Sequence, residues 1–281
     1  MSRRLLICTD LDRTLIPNGE DAESPEARQW FHRLAALPEV VLAYVTGRDQ
    51  GLVREAVEEY ELPLPAFVLG DVGSTIYACE GWNWQHWGAW EAHIALDWGG
   101  RSHGQLATLL AGLPSLQLQE EKKQNIHKLS YYVALGVSYR QLMDEMERRL
   151  QEEGICASLI WSIDEAADIG LLDVLPARAT KRHAIEFLME KQGFTLKNTV
   201  FAGDSGNDLE VLVSPIPAIL VRNATPEVRQ EAQEMAKMAG TESALYLARG
   251  GFHGMNGNYA AGILEGLAHY HPAITTRLET A

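Results

Sequence analysis

Apolar residues along this chain alternate between two patterns. In the first they form short unbroken or nearly unbroken runs: LLIC at 5–8, VVLAYV at 40–45, FVL at 67–69 and TVFA at 199–202. Runs this short, apolar at successive positions, predict strands buried on both faces, as in a parallel sheet. In the second pattern the apolar residues recur every three or four positions. Ala27, Trp30, Phe31 and Leu34 predict a helix with one buried face, opened by Ser24 as N-cap and Pro25 at the first helical position. Leu52, Val53, Ala56, Val57 and Tyr60 predict another, closed by Pro63 and Pro65. Ala184, Ile185, Leu188 and Met189 predict a third behind Thr180 as N-cap. Ile263, Leu264 and Leu267 share a face of a last helix over 260–271. Strands alternating with helices predict an α/β protein on a parallel sheet.

From Gly81 the pattern changes. Trp82, Trp84, Trp87, Trp90 and Trp98 crowd one stretch. They read either as packing between two domains or as an aromatic surface for sugar C–H faces. Residues 128–135 alternate like a strand, and Ser138 caps a helix carrying Leu142, Met143, Met146 and Leu150. Further strands are expected over 155–162 and 169–174. This predicts a smaller α/β module over 81–175, inserted as a cap into a core made of 1–80 and 176–281.

Chemistry gathers where the buried runs end. The run at 5–8 leads into Asp10-Leu11-Asp12-Arg13-Thr14, the run at 40–45 into Thr46-Gly47-Arg48. Thr180-Lys181 opens a helix, and the run at 199–202 leads into Gly203-Asp204-Ser205-Gly206-Asn207-Asp208. The carboxyl edge of a parallel sheet is where ligands bind. Two carboxylates spaced by one residue on extended chain share a face, so one can attack phosphorus while the other handles the leaving-group proton. A hydroxyl and free backbone N–H groups after a strand can hold phosphate oxygens. A lysine in a helix's first turn opposes the dipole, which argues for another task such as neutralising phosphate. The acidic run at 204–208 suits a hard, oxygen-seeking ion such as Mg²⁺.

These four pieces, in this order, resemble the four motifs of the haloacid dehalogenase-type phosphatases, which implies a Rossmann-like core domain. Other segments are similar to those of the sucrose-phosphate phosphatases: His127-Lys128-Leu129-Ser130-Tyr131-Tyr132, Leu172-Asp173-Val174-Leu175-Pro176, Val221-Arg222-Asn223-Ala224 and Ala260-Ala261-Gly262-Ile263-Leu264-Glu265. The likeness runs from about Leu5 to about Tyr270. It implies an Asp10 nucleophile, Asp12 as acid and base, and Mg²⁺ held by Asp10, Asp12 through its backbone carbonyl, Asp204 and Asp208. It further implies that Thr46, Gly47, Lys181 and Asn207 bind the phosphate. Lys128, Asp173 and Arg48 are the candidate sugar contacts. The implied substrate is a sugar phosphate, sucrose 6-phosphate first, with mannosylfructose, glucosylglycerate or glucosylglycerol phosphates as rivals. An upstream sugar-phosphate synthase is a candidate partner, in sucrose biosynthesis on the first of these readings. Two segments depart from the pattern, 164–170 and the glycine-rich 250–258, and Arg13 stands where many relatives have Gly or Asn. His127 and His253 are the histidines nearest the motif segments.

Composition narrows the classes. A formal charge of −14 argues against a general nucleic-acid or anionic-membrane binder. Three widely separated cysteines, Cys8, Cys79 and Cys156, suggest a reducing compartment. Only four apolar residues follow Met1-Ser2-Arg3-Arg4, too few for a signal segment, and no run reaches the length of a membrane span, so a cytoplasmic protein is expected. Three other classes stay open: a phosphosugar mutase, a degenerate non-catalytic regulatory module, and a phospho-accepting signalling domain.

Overall fold

The computed structural model describes residues 4–164 and 167–280. Glu165 and Ala166, within the segment expected to add length before 171, lie outside the described residues, as do Met1 to Arg3 and Ala281.

The parallel part of the larger sheet is made by β1 (Leu5–Thr9), β2 (Val40–Val45) and β3 (Phe67–Gly70). Two further strands, β4 (Thr75–Glu80) and β5 (Asn83–His86), extend it antiparallel as a hairpin. After an intervening second sheet the chain returns with β10 (Thr199–Gly203), β11 (Ala218–Leu220) and β12 (Leu245–Leu247), again parallel. The order across the sheet is β12-β11-β10-β1-β2-β3-β4-β5. Each parallel crossover carries a helix, as parallel pairing requires. These helices are α1 (Ala27–Ala35), α2 (Gln50–Glu59), α6 (Lys181–Gln192), α7 (Leu209–Leu212) and α8 (Pro226–Ala239), with α9 (Ala260–Tyr270) and α10 (Pro272–Thr280) closing the chain.

Both faces of the sheet are covered, which is why its strands are apolar at successive positions. In β1, Leu5 and Ile7 pack with Phe31, Leu34, Val53, Ala56, Ile263, Leu264 and Leu267. Leu6 and Cys8 pack on the opposite side with Ala184, Ile185, Leu188, Val211, Leu212 and Ala232. The first helix departs from expectation. It starts at Ala27 with Glu26 as N-cap, and Ser24 does not cap it. The Ser24 hydroxyl instead donates to Asn256 Oδ1 at 2.9 Å, a partner remote in sequence that outcompetes the local cap. Thr180 does cap α6, accepting from the His183 N–H at 3.2 Å.

The second sheet is antiparallel: β6 (Gln117–Leu118), β7 (Leu129–Val133), β8 (Ala157–Asp164) and β9 (Ile169–Pro176), in the order β6-β7-β9-β8. Helices α3 (Gly88–Ala95) and α4 (His103–Leu110) precede it, and α5 (Tyr139–Glu152) follows β7. Leu129, Tyr131, Val133, Leu172 and Val174 pack against α4 and α5. The alternate residues Ser130, Tyr132, Leu171 and Asp173 occupy the other face. The expected module boundary at 80/81 falls in the turn between β4 and β5, both strands of the larger sheet. The tryptophans are divided among cores: Trp84 and Trp90 on opposite faces of the larger sheet, Trp98 in the smaller module. Trp82 is exposed and stacks on Trp84.

Candidate active site

Sheet order alone brings the motifs together. In the paired registers Thr9 sits level with Ala202 of β10 on one side and Tyr44 of β2 on the other. Asp10, Asp204 and Thr46 therefore emerge side by side at the carboxyl edge. Asp10, Asp12, Arg13, Gly47, Arg48, Asp204, Ser205 and Asn207 line a cavity of about 330 Å³ there.

Lys181 ties the floor of this cavity together. Its buried ammonium donates to Asp10 Oδ2 at 3.0 Å, Asn207 Oδ1 at 3.0 Å and Asp208 Oδ1 at 2.7 Å. All three N–H donors are thus used. Its place at the start of α6, unfavourable for the dipole, is explained by these carboxylates. Burial alone would favour loss of the proton, but Asp10 and Asp208 reverse this and hold the ammonium pKa above its ordinary value. The other oxygen of Asp10 accepts from the Leu11 N–H at 2.7 Å. The second Asp208 oxygen accepts from the backbone N–H groups of Asp204 and Ser205, at 3.1 and 3.2 Å, and so shapes the 204–208 loop. Gly203 makes room for it: a Cβ there would stand 2.6 Å from the Asp208 carboxylate. Asp204 accepts from the Thr14 hydroxyl at 3.0 Å and lies 3.4 Å from Arg13 Nε.

Asp10, Asp204 and Asp208 each offer a carboxylate oxygen within 4.8 Å of the others, and all three are buried. Lys181 and the part-exposed Arg13 together do not balance three buried carboxylates. Burial pushes Asp10 up to about 7 against the pull of Lys181, and pushes Asp204 up to about 6, with Asp208 adding to both. An all-oxygen donor set with surplus negative charge fits a hard divalent cation such as Mg²⁺.

Asp12 is organised differently. Burial acts to raise its pKa, but Arg48 and Asn18 outweigh it and hold the carboxyl below its ordinary value. Arg48 donates from Nε to Oδ2 at 2.8 Å and from Nη2 to Oδ1 at 2.6 Å. Asn18 Nδ2 adds 2.7 Å to Oδ1. With its side chain so engaged, any contribution of Asp12 to the acidic cluster would come from its backbone. Arg48, a candidate sugar contact, thus sits on the second aspartate. Thr46 is fully buried, its Oγ1 accepting from the Arg48 N–H at 3.2 Å.

Lys128 and Asp173 lie at the junction of the two sheets. Lys128 Nζ is 4.0 Å from Asp173 Oδ2 and 3.9 Å from Asp71 Oδ1. Asp71 belongs to the turn after β3 and had no signal in the sequence pattern. Beside it Asn125 Nδ2 donates to Ser74 Oγ at 3.1 Å. Gly73, at φ +93, lets this turn lie against the start of α6, where a Cβ would meet the Thr180 backbone at 2.5 Å. His127 is buried beside Trp98, and His253 packs on Trp30. Neither lines the cavity.

Known proteins are similar to this chain in sequence and fold. The family model of sucrose-6F-phosphate phosphohydrolase matches residues 3–271. A protein of Nitrosococcus oceani named as a HAD-like hydrolase is 54% identical over 280 residues, covering 100% of this chain and 75% of that protein. Sucrose-phosphatase 1 of Nicotiana tabacum is 31% identical over 83% of this chain, which spans 54% of the tobacco protein. Mannosylfructose-phosphate phosphatase of Agrobacterium fabrum is 27% identical, over 94% of this chain and 96% of that one. The solved structure of the Synechocystis sucrose-phosphatase in complex with sucrose and phosphate aligns with a TM-score of 0.69 at 27% identity, over 95% of this chain and 98% of that one.

Proposed function

This chain belongs to the sucrose-6F-phosphate phosphohydrolase family, a group of haloacid dehalogenase-type phosphatases, and we propose that it hydrolyses the phosphate monoester of a disaccharide, sucrose 6-phosphate first. The observation that carries this reading is the Lys181 ammonium shared among Asp10, Asn207 and Asp208, with Asp12 two residues beyond Asp10. That places a buried cation directly against the candidate nucleophile, inside a carboxylate cluster suited to a divalent cation.

In the proposed reaction a carboxylate oxygen of Asp10 attacks phosphorus and the bond from phosphorus to the sugar oxygen breaks. The proton carried by Asp12 goes to the departing sugar oxygen. Asp12 then takes a proton from water, which attacks the aspartyl-phosphate and releases phosphate, restoring both carboxyl groups. Asn207, Thr46 and the Gly47 N–H would hold the phosphate oxygens, joined by Lys181 once one of its three protein contacts is exchanged for phosphate. Phosphoryl transfer needs positioning and charge neutralisation above all. Mg²⁺ would be held by Asp10, the Asp12 carbonyl and Asp204, with Asp208 behind them; when bound it neutralises charge on the phosphoryl oxygens. Arg48 and Asn18 lower the Asp12 pKa, so this pairing disfavours the protonated Asp12 that the first step uses.

We assign substrate choice to the inserted module, with Lys128 and Asp173 facing the sugar. A glycosyl transfer onto a phosphosugar would supply the substrate, which makes a synthase the candidate partner. The full-length relationship to the mannosylfructose-phosphate phosphatase favours that ester as the second reading. The test is phosphate release with Mg²⁺ from a panel of sucrose, mannosylfructose, glucosylglycerate and glucosylglycerol phosphates. The reading expects one disaccharide phosphate to exceed the others and generic esters in kcat/KM. Uniformly low release from all of them would overturn it.

A further inference from the structure

Two segments singled out in the sequence, 221–224 and the glycine-rich 250–258, have no part in the chemistry described above. The structure puts both behind the residue that follows Asp12. Arg13 adopts φ 57, a left-handed conformation that glycine or asparagine takes more readily. Both of its backbone polar groups are claimed by asparagine side chains. Its N–H donates to Asn18 Oδ1 at 2.8 Å, and its carbonyl accepts from Asn223 Nδ2 at 2.6 Å. Asn18 also donates to the Asp12 carboxylate.

Asn223 is buried and its orientation is determined by its partners. Its Oδ1 accepts from the Tyr259 N–H at 2.9 Å, and a backbone N–H only donates while a carbonyl only accepts. Tyr259 is itself held at φ 49, ψ −132, a conformation rare for a side chain of its size. Its hydroxyl donates to the Asp21 carbonyl at 3.1 Å. The glycine-rich segment fastens the same loop from the other side: Asn256 and Asn258 donate to the Ala22 carbonyl, at 2.7 and 3.0 Å. Two strained residues from distant parts of the chain are thus joined through one buried amide.

We infer that Asn223 is a positioning residue of the hydrolysis: set by Tyr259, it holds the Arg13 peptide in its left-handed conformation and so aims the Asp12 carboxyl at the leaving-group oxygen. This rests on the acid–base role proposed for Asp12. It gives the 221–224 and 250–258 segments one shared task.

The test compares a sugar phosphate with nitrophenyl phosphate, whose leaving group needs little protonation. In Asn223→Ala, kcat for the sugar phosphate should fall roughly tenfold to a hundredfold, the scale of misaligned general-acid catalysis, with KM changed less than about threefold and nitrophenyl phosphate turnover nearly kept. Asn223→Asp keeps the shape and the acceptor for Tyr259 but loses the donor to Arg13, and should show the same split. In an Arg13→Gly background, where the left-handed backbone no longer needs holding, the cost of Asn223→Ala should shrink to a small fraction of its value. Equal losses on both esters, or an undiminished cost beside Arg13→Gly, would overturn the inference. Asp12→Asn run alongside separates two failures. If it spares sugar-phosphate turnover, the acid–base role and the inference both fall; if it is severe while Asn223→Ala affects both esters equally, only the inference falls.

Discussion

Arg48 grips both carboxylate oxygens of Asp12, Nε to Oδ2 at 2.8 Å and Nη2 to Oδ1 at 2.6 Å. A charge-assisted fork of this kind stabilises the anion. It therefore opposes the protonated Asp12 that protonation of a sugar alkoxide requires.

The first prediction follows from that opposition. Arg48 lowers the Asp12 pKa, so Arg48→Met should raise it, and the protonated form should persist to higher pH. In saturating Mg²⁺, which keeps Asp10 ionised, the descending limb of kcat/KM against pH for a sugar phosphate should move to higher pH, whatever happens to the maximum. A limb that stays in place would mean Asp12 is not the group titrating there.

Lys181→Met would leave Asp10 and Asp208 buried without their shared cation. Breaking a buried ion pair from one side costs about 3–5 kcal/mol, because the orphaned charge stays behind. Urea melts of the chelated variant and wild type should differ on that scale. Coincident melts would show that the carboxylates are balanced by something else.

The buried carboxylates also predict how a cation and pH act together. Asp10 and Asp204, pushed up to about 7 and about 6, lose their protons later in the folded chain than in the unfolded one. The unfolded state then binds fewer protons between about pH 4 and 7, so chelated protein should lose stability as pH rises through that window. Mg²⁺ binds the ionised carboxylates, so the rise in Tm it produces should be larger at neutral pH than at pH 5. Activity should disappear with EDTA and be inhibited by Ca²⁺, which takes more and longer bonds. A Mg²⁺ effect on Tm independent of pH would count against binding at these residues.

At the junction of the sheets, Lys128→Ala and Asp173→Ala should each lower kcat/KM for the disaccharide phosphate roughly tenfold, the scale of a lost hydrogen bond to a charged group. Asp71→Asn should follow Lys128→Ala, because Asp71 is the carboxylate of the larger-sheet domain that faces the same ammonium. Nitrophenyl phosphate should be little affected by any of the three. Parallel losses on both substrates would place these residues in support of the fold.

What could be read from the chain was what depends on local pattern. The run before Asp10 is apolar at successive positions because both faces of β1 are covered, and Lys181 stood out because a cation at a helix start needs a reason. What could not be read depends on distant parts meeting. Nothing near Ser24 in sequence announces Asn256, and nothing near Asn223 announces Arg13 or Tyr259. The β4–β5 hairpin escaped because His86 and Asn83 give an edge strand little apolar pattern. Arg48 looked free for substrate because its partner, Asp12, lies 36 positions away.

The most direct measurement is a single turnover with a sugar phosphate labelled in its phosphoryl group, quenched in acid and mapped by peptide. The account predicts label on the peptide that carries Asp10, rising and then decaying as phosphate appears. It predicts no label and no turnover in Asp10→Asn that remains folded by its thermal melt. Phosphate release within tenfold of wild type by Asp10→Asn, or label on a different peptide, would contradict it.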